Sequence, residues 1–322
     1  MLKRFLFVAL LAVSACASDS RTASGIDPVM KRFAEEANTL PAIVRRDGPP
    51  AALAHLAQVI ADEPNLADVC HGLTHVIGEA AYDRYGFQDA LAFEHDLCGS
   101  GYIHGIVESY METVDDLPAA MRSICEPDDP KCFHGIGHGL MYRSINDVPG
   151  SIALCDTYDE RFQKAQCAEG VFMENFDADE QSHDSDYLDP ADPFSACRGR
   201  DPLYEGVCAF YMVRYYIRLH PRAYAQALDW CETIPAGPRD ACVKGVGDTA
   251  MKQNIGDPQF AETVCDSAVP ERRRYCIEGV SSYFVVHHAS TVRGRAMCGT
   301  LREENRPACM KIVDQSVSIY PN

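Results

Sequence analysis

Phe133-His134-Gly135-Ile136-Gly137-His138 is a short, unusual run, and its echoes along the chain decide the fold. Two histidines stand four residues apart, with a glycine directly after the first. Upstream the same frame returns as Cys70-His71-Gly72-Leu73 followed by His75, and as Ile103-His104-Gly105-Ile106 followed by Glu108. Downstream the frame changes composition but keeps its spacing: Ala168-Glu169-Gly170-Val171, Tyr204-Glu205-Gly206-Val207, Val243-Lys244-Gly245-Val246, Ile277-Glu278-Gly279-Val280, and a degenerate Met310-Lys311-Ile312. The residue before the glycine falls at 71, 104, 134, 169, 205, 244, 278 and 311, so successive copies lie 33, 30, 35, 36, 39, 34 and 33 residues apart. Self-similarity at a near-constant period marks a repeat architecture.

Each copy reads as two helices. From Pro221 to Glu232 the apolar residues Ala223, Ala227 and Leu228 share one side, and Pro221 sits at the start, where proline is tolerated. Pro235-Ala236-Gly237-Pro238 breaks that helix, and a helical pattern resumes from Arg239 to Met251. Asp257 to Ala268, then Pro270, then Glu271 to Val286 repeats the design. The expectation is an all-α chain: a right-handed α-solenoid of about eight helical hairpins, forming one domain over 28–322. A helix–turn–helix unit of ~34 residues resembles tetratricopeptide solenoids in dimension. The residues characteristic of that family are absent, so the likeness is one of architecture.

The cysteines follow the same period. Cys231 and Cys242, Cys265 and Cys276, and Cys298 and Cys309 each enclose ten residues, Cys155 and Cys167 eleven, and Cys125 and Cys132 six. One cysteine ends a helix and the next begins its partner, positions that a short turn brings within disulfide reach. Cys197 and Cys208 also enclose ten residues but are out of register with the glycine, and Cys70 and Cys98 remain to link adjacent units. Seven disulfides are therefore expected. No Cys-x-x-Cys knuckle argues for metal at sulfur.

The amino terminus explains the fifteenth cysteine. Met1-Leu2-Lys3-Arg4 is followed by the apolar run Phe5 to Ala12 and then by Val13-Ser14-Ala15-Cys16. The order of basic, apolar and small residues is that of a secretory signal, too short for a membrane-spanning helix of ~20 residues. The junction resembles the lipobox of bacterial lipoproteins, which implies cleavage before Cys16 and lipid attachment there. Residues 1–16 would be the signal, 17–27 a linker, and the body a periplasmic-face lipoprotein in an oxidising compartment, with 14 cysteines left to pair. With 29 Lys+Arg against 47 Asp+Glu, the chain is too acidic to hold nucleic acid or to bind anionic lipid by charge. An apolar content of 47% and 28 Phe and Tyr together suit a folded core.

Chemistry concentrates in the first three copies. His71 and His75, His104 and Glu108, and His134 and His138 each stand four apart, a step that places both side chains on one helical face. Leu66, Val69, Leu73, Val76, Ile77 and Ala80 form an apolar stripe on the other side of their helix. Three neighbouring helices would thus present six donors to a common groove, enough for one or two divalent transition-metal ions (iron, copper, zinc or manganese). His95 and Glu79 are candidates for outer partners, and Glu169, Glu174 and Asn175, from the fourth unit, are candidates to complete the site. His55, His183, His220 and the pair His287-His288 read as non-ligands, and the acidic run Asp177 to Asp192 as a solvated loop. The expected function is metal binding, with an oxygen- or water-activating oxidoreductase or hydrolase as its catalytic form. The alternative is a lipid-tethered scaffold holding a protein or peptide in the solenoid groove.

Overall fold

The computed structural model describes residues 28–177 and 185–320; the signal, the lipobox Cys16, the 17–27 linker and His183 lie outside the described residues. The described chain is all-α. Its helices are α1 (Pro28–Asp47), α2 (Pro49–Asp62), α3 (Cys70–Leu91), α4 (Leu97–Thr113), α5 (Leu117–Ser123), α6 (Pro130–Ser144), α7 (Val148–Cys155) and α8 (Arg161–Asp177). After the acidic segment follow α9 (Pro202–Leu219), α10 (Tyr224–Cys231), α11 (Arg239–Lys252), α12 (Pro258–Val264), α13 (Arg273–His288), α14 (Thr291–Thr300) and α15 (Arg306–Gln315). No described helix is long and apolar enough to cross a membrane.

Helix starts are encoded locally. Asp116, Asp129, Asp147, Asp201 and Asp257 each accept a hydrogen bond from a backbone N–H of the first turn, with proline just inside the helix. Each cap satisfies a donor the helix leaves open and is worth about 1 kcal/mol. The hairpins are short outer helices followed by longer inner ones. All seven expected cysteine pairs stand at disulfide distance, with Cα separations between 5.4 and 5.8 Å. They include Cys197–Cys208, which ties the turn Ser195–Cys197 to α9, and Cys70–Cys98, which ties α3 to α4. Seven such pairs belong in an oxidising, extracellular-type environment.

The fifth copy is corrected by packing. In the copies at 134, 169, 244, 278 and 311 the inward residue stands two after the cysteine, as in Cys132 and His134, Cys167 and Glu169, and Cys242 and Lys244. Cys208 therefore points to Phe210, not to Glu205. Gly245 packs on the Phe210 carbonyl just as Gly279 packs on that of Lys244. Tyr211 occupies the place of the usual glycine, which hides this copy from a search by glycine.

The array was expected to leave an open groove; it returns on itself instead. Inner helices α4, α6, α8, α9, α11 and α13 pack each on the next, and α13 packs back on α4, closing a six-membered ring. Glycines allow this curvature by letting inner helices approach. A methyl on Gly137 would collide with the Cys167 carbonyl, and one on Gly170 with the His134 carbonyl. Outside the ring α3 lies against α4, backed by α1 and α2 through Leu40, Val44, Leu56, Leu73 and Ile77. The larger core runs continuously from α4 to the carboxyl terminus. The ring surrounds a partly open cavity of 330 Å³ that is lined from every one of its helices.

Candidate metal centre

The histidine frame lands where α3, α4 and α6 meet. One nitrogen from each of His71, His75, His104 and His138 lies within 4.8 Å of all the others. His75, His104 and His138 are buried and His71 is partly so. The four-residue step puts His71 above His75 on α3, their ring centroids 4.6 Å apart, and α4 and α6 bring His104 and His138 alongside. The chain turns sharply into α4 through left-handed residues at Cys98, Gly99 and Ser100, with φ of 56°, 75° and 65°. Two of these are not glycine, and strain of this kind collects at functional sites. This turn aims the Cys98 carbonyl at His71.

In three of the four rings the outward nitrogen is engaged. His71 Nδ1 donates to the Cys98 carbonyl at 2.8 Å, and His138 Nδ1 donates to Glu174 Oε2 at 2.6 Å. His75 Nδ1 lies 3.0 and 3.2 Å from the two Glu108 oxygens. A carbonyl or carboxylate can only accept, so in these three rings Nδ1 carries the proton. In the neutral rings the inward Nε2 atoms are then lone pairs. Those of His71 and His75 stand 3.0 Å apart, and His104 Nδ1 is 3.4 Å from His71 Nε2. His138 Nε2 is buried with no hydrogen-bond partner. Lone pairs packed this closely repel unless a proton or a metal ion lies among them.

The electrostatics divide the rings. Burial, followed by the neighbouring imidazoles, holds His71, His104 and His134 well below the ordinary histidine range, so they stay neutral. His75 moves up: burial opposes its charge, but the Glu108 carboxylate, aided by Glu174 and Glu79, outweighs it. Glu108 is 3% and Glu174 8% exposed, and among the described residues Glu108 pairs with imidazoles and with no lysine or arginine. Buried carboxylates need a counter-charge.

The six candidate ligands therefore divide. His71, His75, His104 and His138 converge; Glu108 stands behind His75 and, at 3.8 Å, near His138. His134 stacks on His104 with centroids 4.8 Å apart, its Nδ1 is 3.9 Å from Glu169, and its Nε2 is buried without a partner. It sits at the margin of the centre, facing the cavity with His71 and His104. Of the outer candidates, Glu174 holds His138. Glu79 is half-buried, and burial, then the Glu108 carboxylate, pushes its carboxyl up to about 7. Asn175 is occupied with Ser185 at 2.5 Å, and exposed His95 accepts from the backbone of Leu97. Asp177, expected in a solvated loop, instead ends α8 and pairs with Arg214 at 2.6 Å. His287 is half-buried and lines the cavity.

The opposite wall went unread in the sequence. Arg214 is four residues after Phe210 and Asp248 four after Lys244, so the same inward face continues around the ring with other chemistry. Counting from each cysteine rather than from each glycine would have found it. Comparison with protein-family models, curated proteins and solved structures finds no match to this chain.

Proposed function

We propose that this is an exported, lipid-anchored metalloprotein that holds one divalent transition-metal ion on His71, His75, His104 and His138. The observation that carries the reading is the 3.0 Å approach of the His71 and His75 Nε2 atoms while both Nδ1 protons are committed outward. Nitrogens ~2.0–2.1 Å from one ion stand about 2.9 Å apart at a right angle and about 3.3 Å apart in a tetrahedron. The 3.0 and 3.4 Å separations fit either. The group's 4.8 Å limit exceeds by about half an ångström the ~4.2 Å span across one ion, so any pair at that limit must draw in on loading. An all-imidazole set suits zinc, copper or iron better than manganese. Glu108, Glu174 and the Cys98 carbonyl fix ring orientation from behind, as outer partners of metal-bound histidines do. Their two negative charges also balance a divalent ion among neutral rings.

His71, His104 and His134 open this centre onto the cavity, whose 330 Å³ suits a small molecule as the second partner. When bound, the ion supplies Lewis-acid or redox chemistry to that molecule. The chain's own residues orient the rings and hold His134 neutral at the cavity edge, with its Nε2 unpartnered. Elemental analysis of protein purified from an oxidising compartment tests the reading. About one zinc, copper or iron per chain is expected, with loss of that metal in His75→Ala/His138→Ala while the helical spectrum persists. A metal-free wild type that takes up none of the three on dialysis would overturn it.

A further inference from the structure

The wall facing the histidines carries one cation that closes no direct ion pair. Four cations line the cavity: Lys131, Arg214, Lys244 and Lys252. Lys131 is held by Asp96 at 2.5 Å and Glu94 at 3.2 Å; Arg214 by Asp177 at 2.6 Å and Asp248 at 3.3 Å; Lys252 by Asp177 at 3.7 Å. Lys244 alone among them has no carboxylate within 4.0 Å among the described residues; its ammonium lies over the Phe210 ring, 5.7 Å from the centroid. Two carboxylates flank it without closing an ion pair: Asp248 takes Arg214, and Glu169, which accepts from the Gln166 amide at 3.2 Å, feels the Lys244 charge. In a chain of net charge −18, a half-buried lysine with no direct ion pair inside a cavity is a position open to an anion.

Size and surface narrow the anion. At 330 Å³ the cavity stands at the small end of the ~300–1,000 Å³ range of ligand pockets. Phe210, Tyr211, Tyr283 and Tyr320 give it an aromatic lining. Lys244 is also the counterpart, on α11, of His104 and His134 on α4 and α6, so it points into the same cavity from the other side.

We propose that the cavity binds a small carboxylate with an aromatic or apolar body, its carboxylate on Lys244, its body against Phe210 and the tyrosines, and its far end toward the histidine centre. This deepens the metalloprotein reading by naming the ligand class, and it rests on that reading only for the last contact.

Benzoate and the isosteric neutral benzamide, titrated calorimetrically into the purified protein with metal content measured in every sample, test it. Benzoate should bind at least ~10-fold more tightly than benzamide, the ratio expected when a charged hydrogen bond is lost. Lys244→Met should lose that preference, Lys244→Arg should keep it within about threefold, and metal content should be unchanged in both. The proposal is overturned if benzoate binds no better than benzamide, if Lys244→Met binds benzoate like the wild type, or if neither compound binds. Failure of the metal reading would look different: benzoate would bind in a Lys244-dependent way to a protein that holds no ion.

Discussion

Glu174→Gln should weaken metal binding by roughly 10- to 100-fold, or about 1.4–2.7 kcal/mol, without unfolding the protein. The substitution keeps the shape of the side chain and an oxygen acceptor but removes the charge. Glu174 Oε2 lies 2.6 Å from His138 Nδ1, with the two side chains only 11% and 2% exposed, so water cannot replace the lost interaction. Glu108 cannot replace it either, because Glu108 is 3.8 Å from His138 and already engaged by His75 at 3.0 Å. The loss should therefore fall toward the upper end of the range. Glu169→Gln is the matched control: that carboxylate is 3.9 Å from His134, outside the group of four, and its removal should shift affinity less than about threefold. Competition against a chromogenic chelator at fixed pH reads both variants, and circular dichroism checks the fold. Equal affinities for Glu174→Gln and wild type, with the fold intact, would show that the carboxylate does not act on a metal-bound ring.

Three further outcomes are expected. Because His71, His104 and His134 sit well below the free-imidazole value when folded, the unfolded chain binds protons first as the pH falls below ~6.5. The metal-free protein should then lose on the order of 1.4 kcal/mol per pH unit per such histidine, with His75 acting in the opposite sense. Urea midpoints at pH 7.5 and 5.5 check this, and a higher midpoint at pH 5.5 would contradict it. Gly170→Val should cost about 3 kcal/mol or more by driving α8 off the His134 carbonyl, whereas Gly206→Ala, a helical position with open space around it, should gain up to ~1 kcal/mol. Cys16→Ser should move the protein from the membrane fraction to the soluble one, and thiol titration of that denatured, unreduced variant should find no free thiol.

How much of this was legible depended on how local each feature is. A cap, a turn-spanning disulfide or an i,i+4 donor pair involves a few neighbouring residues, so Asp129-Pro130, Cys231 with Cys242, and His134 with His138 could be read directly. The convergence of His71, His104 and His138 followed from equivalence between copies. Ring closure did not, because it depends on α13 meeting α4 across more than 160 residues, and no residue in either helix announces its partner. Glu174 was uncertain because it is five residues after the inward Glu169 rather than four, which puts it toward α6 instead of straight into the cavity. The fifth copy was misplaced because Glu205-Gly206 imitates the frame that Phe210 and Tyr211 occupy. The division of the six donors into ligands and supports turns on side-chain hydrogen bonds that spacing alone does not specify.

Closure also restricts how this chain can change. An open helical array tolerates the gain or loss of a unit, because each unit touches only its neighbours and the end simply moves. Here the seam between α4 and α13 exists only at one copy number. Duplicating or deleting a hairpin between them would part the seam and break the wall of the cavity. The donors at 71–138 and the wall at 210–320 would then face different spaces. Drift should therefore be recorded in loops and outer helices, such as the long connection between α8 and α9, while the number of inner helices stays constant.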